Sequence, residues 1–175
     1  DIDKQVRENL FLRMTTSKNK VYVGEHITAT LKLYYRLNFG NTQMAKAPRF
    51  DGFWSQEVTM DPNQKPRVEK VNGQDFYVID VQKYDLYPQR AGNLQISGTE
   101  LSMIVQAQVQ SRRRSVWDMF GGPQLKNIQY KPTSNAINIL VEELPNDGKP
   151  TDFSGAVGQF EMEAKLSNNK AKTDE

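Results

Sequence analysis

His26 is the side chain best suited to acid–base or metal chemistry, and it is the only histidine among the 175 residues. A Ser-His-Asp triad needs a serine on a sharp turn near the ring, but the sequence has no Gly-x-Ser-x-Gly motif. A zinc site needs three or four His, Cys or carboxylate ligands, and the sequence has no cysteine. We therefore interpret His26 as a surface residue at the start of a strand. We predict no catalytic residue, no cofactor and no metal.

The carboxylates do not define a site either. The 21 acidic residues could supply the opposed pair of a glycosidase, but nothing in their spacing singles out two of them. Residues 152–156 (DFSGA) begin like the Asp-x-Ser-x-Ser metal motif of von Willebrand factor A domains, but Ala156 replaces the last ligand. We therefore expect a protein that is not an enzyme.

Residues 50–55 (FDGFWS) are dense in aromatic side chains and allow two interpretations. Phe53 and Trp54 could form an exposed platform for a sugar or a protein partner, since aromatic rings offer large apolar faces. They could equally be core anchors at the edge of a sheet. Trp54 is therefore one candidate partner-binding residue.

Residues 111–122 (SRRRSVWDMFGG) form the second candidate site. The segment combines arginines with bulky apolar residues, a mixture enriched at protein interfaces. It could dock on a protein partner or insert into a membrane surface, or its rings could fold back onto the domain. The candidate partner-binding residues here are Arg112, Arg113, Arg114, Trp117, Met119 and Phe120.

Composition excludes two further classes. The chain carries 23 basic and 21 acidic residues, a net charge of +2, so it has no strong field to attract nucleic acid. No run reaches the 18 apolar residues typical of a membrane-spanning helix. The apolar fraction of 37% is enough for a packed core.

Alternation of apolar and polar residues predicts the fold. It runs through residues 26–36 and 100–110 and returns at 137–141, as in strands with one buried face. Asn72-Gly73 between two strand-like runs predicts a tight hairpin. About seven strands and no helices indicate an all-β, immunoglobulin-like antiparallel β-sandwich. The Cys…Trp…Cys pattern of true immunoglobulin domains is absent, so the term describes architecture alone.

The same patterns divide the chain into three parts. Residues 1–8 are polar and form a lead-in, and residues 9–145 form the sandwich domain. Residues 146–175 begin with a linker rich in Pro, Asn and Gly. Within them, residues 160–166 (FEMEAKL) alternate like the first strand of a following, truncated domain.

Several stretches together resemble the BatD family, the exported oxygen-tolerance proteins of the Bacteroides aerotolerance (Bat) group. The similarity spans roughly residues 9–166, and the glycine-rich residues 117–122 (WDMFGG) add to it. Four motifs appear in the same order: residues 21–25 (VYVGE), 50–57 (FDGFWSQE), 87–92 (YPQRAG) and 153–160 (FSGAVGQF).

The resemblance implies a periplasmic, extracytoplasmic fragment of a larger protein that is anchored to the inner membrane outside this fragment. Its role would be non-enzymatic: a protein-interaction module for aerotolerance or envelope stress, within a membrane-associated Bat complex. The implied partners are Bat membrane proteins that contain von Willebrand factor A domains. The family has no accepted catalytic residues, so none is assigned here. The alternative is a carbohydrate-binding β-sandwich module that uses Trp54 and nearby tyrosines.

Overall fold

The computed structural model of the chain describes residues 2–109, 124–158, 160, 161, 163 and 165. Within them lie one short helix and eleven strands. The helix is α1 (Ile2–Asn9), and the strands are β1 (Leu10–Thr16), β2 (Lys20–Tyr22), β3 (Ile27–Tyr35), β4 (Phe39–Lys46), β5 (Phe53–Val58), β6 (Arg67–Val71), β7 (Gln74–Pro88), β8 (Gly92–Ile96), β9 (Glu100–Val109), β10 (Gln124–Tyr130) and β11 (Ile137–Glu142).

The strands form three sheets. The largest, which we call the main sheet, has the order β1-β3-β7-β5, with β6 pairing on β7. The other two have the orders β10-β9-β4 and β2-β11-β8. All pairs are antiparallel except β2 with β11, which is parallel. The predicted all-β sandwich is confirmed, although seven strands was too low a count.

One core joins the three sheets. In β3, Ile27, Ala29, Leu31 and Leu33 are almost completely buried, as the alternation predicted. The same cluster includes Ile96 of β8, Val105 of β9 and Ile139 of β11, so the buried faces of all three sheets meet. Burying each large aliphatic side chain stabilises the fold by about 1.5–3 kcal/mol.

Two predicted turns are confirmed. Gly24 has φ +80° and precedes β3, in the region that glycine adopts most easily. Asn72 and Gly73 have φ values of 50° and 79° and join β6 to β7, as a two-residue hairpin turn requires.

Two local predictions were wrong. No helix was expected, but residues 2–9 form helix α1, which buries Val6 against the core. Residues 37–49 were expected to be a loop, but they contain β4. Its side chains are mostly exposed, and its backbone pairs with β9 at the edge of its sheet. When both faces of an edge strand are exposed to solvent, its sequence does not alternate between apolar and polar residues, so the pattern does not reveal the strand.

The C-terminal part is less regular. Residues 143–158 contain turns and bends but no helix or strand. Of the strand predicted at residues 160–166, residues 160, 161, 163 and 165 are described, and none of them lies in a strand. Residues 162, 164 and 166 lie outside the described residues.

Candidate functional site

Three rings form a row across the outer face of the main sheet. Trp54 of β5 lies opposite Tyr87 of β7 in the strand register, and their ring centroids are 5.5 Å apart. His26 lies just before β3, with its ring centroid 5.2 Å from that of Tyr87. We call Trp54, Tyr87 and His26 the aromatic row.

Strand alternation places the aromatic row outside the core. Phe53 and Leu86 point inward and pack in or against the core, so their chain neighbours Trp54 and Tyr87 must point outward. The side chain of Trp54 is 53% exposed. Among the aromatic residues of the described strands, only Tyr77, at 55%, is more exposed. The core-anchor interpretation therefore holds for Phe53 and is wrong for Trp54.

Polar groups surround the row. The Oδ1 atom of Asp85 accepts a hydrogen bond from His26 Nε2 at 2.8 Å and a longer one, at 3.4 Å, from the Thr28 hydroxyl. Beside them, an open depression of about 330 Å³ is lined by Gly24, Trp54, Tyr87 and Gln89. The site therefore offers aromatic faces next to hydrogen-bonding groups.

The turn before β3 fixes one wall of this depression. Gly24 donates its backbone N–H to Pro88 O at 2.8 Å, which ties the turn to the end of β7. The Glu25 carboxylate accepts a hydrogen bond from the backbone of Tyr22 at 3.0 Å and pairs with Lys18. Lys18 and the Tyr22 N–H lower the pKa of Glu25. The turn is therefore held by its own charged side chains.

The arrangement suits binding better than catalysis. Asp85 orients His26, but the hydroxyl nearest the pair, that of Thr28, bonds to the carboxylate and not to the ring. Among the described residues, no three His, Cys, Asp or Glu side chains gather as a metal site would require. Flat rings beside an amide and a carboxylate match the surfaces of peptides and sugars.

A second polar cluster on the outer face of the main sheet is structural. The Tyr34 hydroxyl donates to Glu69 at 2.9 Å, and Arg67 pairs with both Glu69 and Asp80. Burial and the bond to Glu69 raise the pKa of Tyr34. Burial opposes ionisation of Glu69, but Tyr34, Arg67 and Lys32 outweigh it and lower the pKa of that carboxyl. Every charge here has a partner, so the cluster stabilises the sheet and leaves no free group for a ligand.

The other sequence-predicted site residues lie outside the described part of the chain. They are Arg112, Arg113, Arg114, Trp117, Met119 and Phe120. The segment that carries them connects β9 to β10, which pair antiparallel from Val109 opposite Gln124. Of the predicted partner-binding residues, the structure therefore places Trp54 alone.

Sequence reasoning missed Tyr87 and Asp85. The apolar residue Leu86 could have indicated them. When Leu86 faces the core from a strand, its chain neighbours Asp85 and Tyr87 must lie on the opposite, outer face. The sequence could not show that β5 and β3 flank β7, and that pairing is what brings Trp54 and His26 to Tyr87.

Comparison with known proteins identifies the family. The family model described as "BatD DUF11 like domain" matches residues 14–116, more than half of the chain. The chain belongs to the BatD family. The match starts within β1, includes the whole aromatic row and Arg112–Arg114, and ends just before Trp117. No curated protein and no solved structure matches the chain.

Membership confirms the resemblance seen in the sequence. It indicates an aerotolerance-associated envelope protein of extracytoplasmic type.

No helix in the described residues combines the length and the apolar character that crossing a bilayer demands.

Proposed function

We propose that this BatD-family domain is a periplasmic protein-interaction module within a membrane-associated Bat complex. Its partners are Bat membrane proteins that contain von Willebrand factor A domains, and the full-length protein is anchored to the inner membrane. The observation that carries the proposal is the aromatic row, in which Trp54 is 53% exposed and lies beside the ring of Tyr87. Large exposed aromatic side chains are enriched among the residues that dominate binding energy at interfaces.

The position of the row supports a protein partner. Strands β5 and β7 and the turn before β3 hold the rings, and Gly24 and Gln89 extend the surface beside them. Binding therefore requires little ordering of the backbone, which reduces the entropic cost of association. Residues 112–120 supply further arginine and aromatic groups in this proposal, as a second part of the contact surface.

The interface can be mapped with one purified partner. We would titrate the isotope-labelled domain with the soluble von Willebrand factor A domain of a Bat membrane protein and record amide chemical shifts. Shifts centred on Trp54, Tyr87 and the β9–β10 connection are expected. Shifts centred on β4 or β10 would assign binding to another surface, and the absence of any shift at saturating concentrations would contradict the proposed partner.

A second candidate function is carbohydrate binding. It is favoured by one observation: Trp54 and Tyr87 are adjacent rings at an interplanar angle of 58°, with Gln89 beside them. Such rings can stack on the apolar face of a sugar while amides bind its hydroxyls. A glycan array should then give hits that disappear in Trp54→Ala. An array without hits would remove this alternative.

A further inference from the structure

A second groove lies at the other end of the main sheet. Its volume is about 590 Å³, and three arginines line it: Arg7 of α1, Arg13 of β1 and Arg36, which follows β3. Phe76 in its wall and Tyr87 of the aromatic row stand near opposite ends of β7, about 35 Å apart along the strand. The two sites are therefore separate surfaces.

Aromatic rings hold two of the guanidinium groups in place. The guanidinium carbon of Arg13 lies 5.1 Å from the ring centroid of Tyr34 and 5.6 Å from that of Phe11. That of Arg36 lies 5.5 Å from the centroid of Phe76, which is buried. Phe11 stacks on Tyr34 at 4.9 Å and meets Phe76 edge-on at 5.3 Å. Stacking on a ring restricts an arginine, so less entropy is lost when it binds a ligand.

Among the described residues, no carboxylate forms an ion pair with Arg13 or Arg36. Arg36 donates to the neutral side chain of Gln74 at 2.8 Å, and the groove's acidic residue, Glu8, lies 3.7 Å from Lys4. By contrast, Arg67 on the same sheet contacts two carboxylates. Three arginines and one carboxylate, that of Glu8, therefore line the groove, which leaves it with a positive charge.

We propose that this groove binds an acidic peptide segment of a protein partner, with side-chain carboxylates on Arg7, Arg13 and Arg36. Guanidinium groups bind carboxylates in a bidentate geometry, and Phe11 and Val71 offer apolar contacts between the charges. The concave shape favours a peptide over a bilayer, because a membrane surface would need protruding basic and apolar groups. The site does not depend on the interaction proposed for the aromatic row.

The test uses fluorescein-labelled hexaglutamate at low salt and reads fluorescence anisotropy. Arg13→Gln/Arg36→Gln should weaken binding about tenfold or more, because two charge-assisted contacts are lost. Lys83→Gln/Lys126→Gln is the control: it removes the same net charge at two positions that do not line the groove, and it should change affinity by less than about twofold. Melting temperatures verify that both double variants are folded.

Arg7→Gln guards against a folding defect. Arg7 is exposed on α1 and has no ring stacked beneath it among the described contacts, so its loss should weaken binding without altering the melting temperature. If both double variants lost the same affinity for hexaglutamate, binding would depend on net charge alone, and the proposal would be overturned. The absence of hexaglutamate binding would overturn the proposal as well. So would binding only to vesicles that contain about 30% phosphatidylglycerol, a lipid that makes their surface strongly anionic.

Discussion

Trp54 and Tyr87 face each other across the β5–β7 register on the outer side of the main sheet, with ring centroids 5.5 Å apart. Their chain neighbours Phe53 and Leu86 pack in or against the core. The same two strands thus supply both the stability of the sandwich and its exposed aromatic surface. Because the inner residues hold the backbone, the outer rings can be changed with little effect on folding.

The first prediction concerns the turn before β3. Glu25→Gln should lower the free energy of unfolding at pH 7 by about 1 kcal/mol, since the pair with Lys18 is lost and the bond to the Tyr22 backbone is weakened. Urea denaturation would measure this. Glu143→Gln is the control, because that carboxylate is exposed and has no ion pair among the described residues.

This difference should depend on pH. The folded-state pKa of Glu25 is lowered below 4.5, so the ionised carboxylate stabilises the fold above that pH. The stabilisation should be lost as the pH falls through the lower, folded-state pKa. A gap between wild type and Glu25→Gln that widens below pH 4.5 would contradict the assignment.

The second prediction concerns the β6–β7 hairpin. Gly73→Ala should destabilise the domain by about 1–2 kcal/mol, because Gly73 has φ +79° and a side chain there is strained even though the surrounding space is open. Gly40→Ala is the matched control: its surroundings are equally open, and its φ lies outside the positive range. Thermal melts of both variants would test this, and equal losses would show that the turn geometry is not the cause.

The third prediction concerns the connection between β9 and β10. Trp117→Ala/Phe120→Ala should weaken capture of the von Willebrand factor A domain by roughly thirtyfold, as for two interface aromatics, and leave the melting temperature nearly unchanged. Leu125→Ala, at an exposed position of β10, serves as the control. Undiminished capture together with a large loss of stability would instead identify Trp117 and Phe120 as core residues.

Much of the fold can be predicted from the sequence, because side chains alternate between the two faces of a strand and burial therefore repeats at every second residue. Ile27, Leu31 and Leu33 alternate with polar residues, and Asn72-Gly73 has the chemistry that its turn demands. The failures have physical causes too. Helix α1 spans eight residues and buries Val6 through tertiary contact, which a short polar sequence cannot reveal.

The candidate site was harder to predict than the fold. The residue type makes Trp54 a candidate, but the sequence does not show whether Phe53 or Trp54 faces the core. In the structure Phe53 packs against the core and Trp54 is exposed. The aromatic row exists because β3 and β5 both pair with β7, and strand order is a long-range property that local patterns do not contain. The β5–β7 register, together with the burial of Phe53 against the core, decides between the two interpretations of Trp54.

The most direct test of the interaction module is the affinity of Trp54→Ala for the purified von Willebrand factor A domain, measured by isothermal titration calorimetry. Tyr77→Ala is the matched control, since Tyr77 is 55% exposed and lies toward the other end of β7. We expect Trp54→Ala to weaken binding by about 2 kcal/mol, as a central aromatic does, and Tyr77→Ala to bind like the wild type. Equal affinity of Trp54→Ala and the wild type, with both folded, would contradict the assignment of the aromatic row as the binding surface.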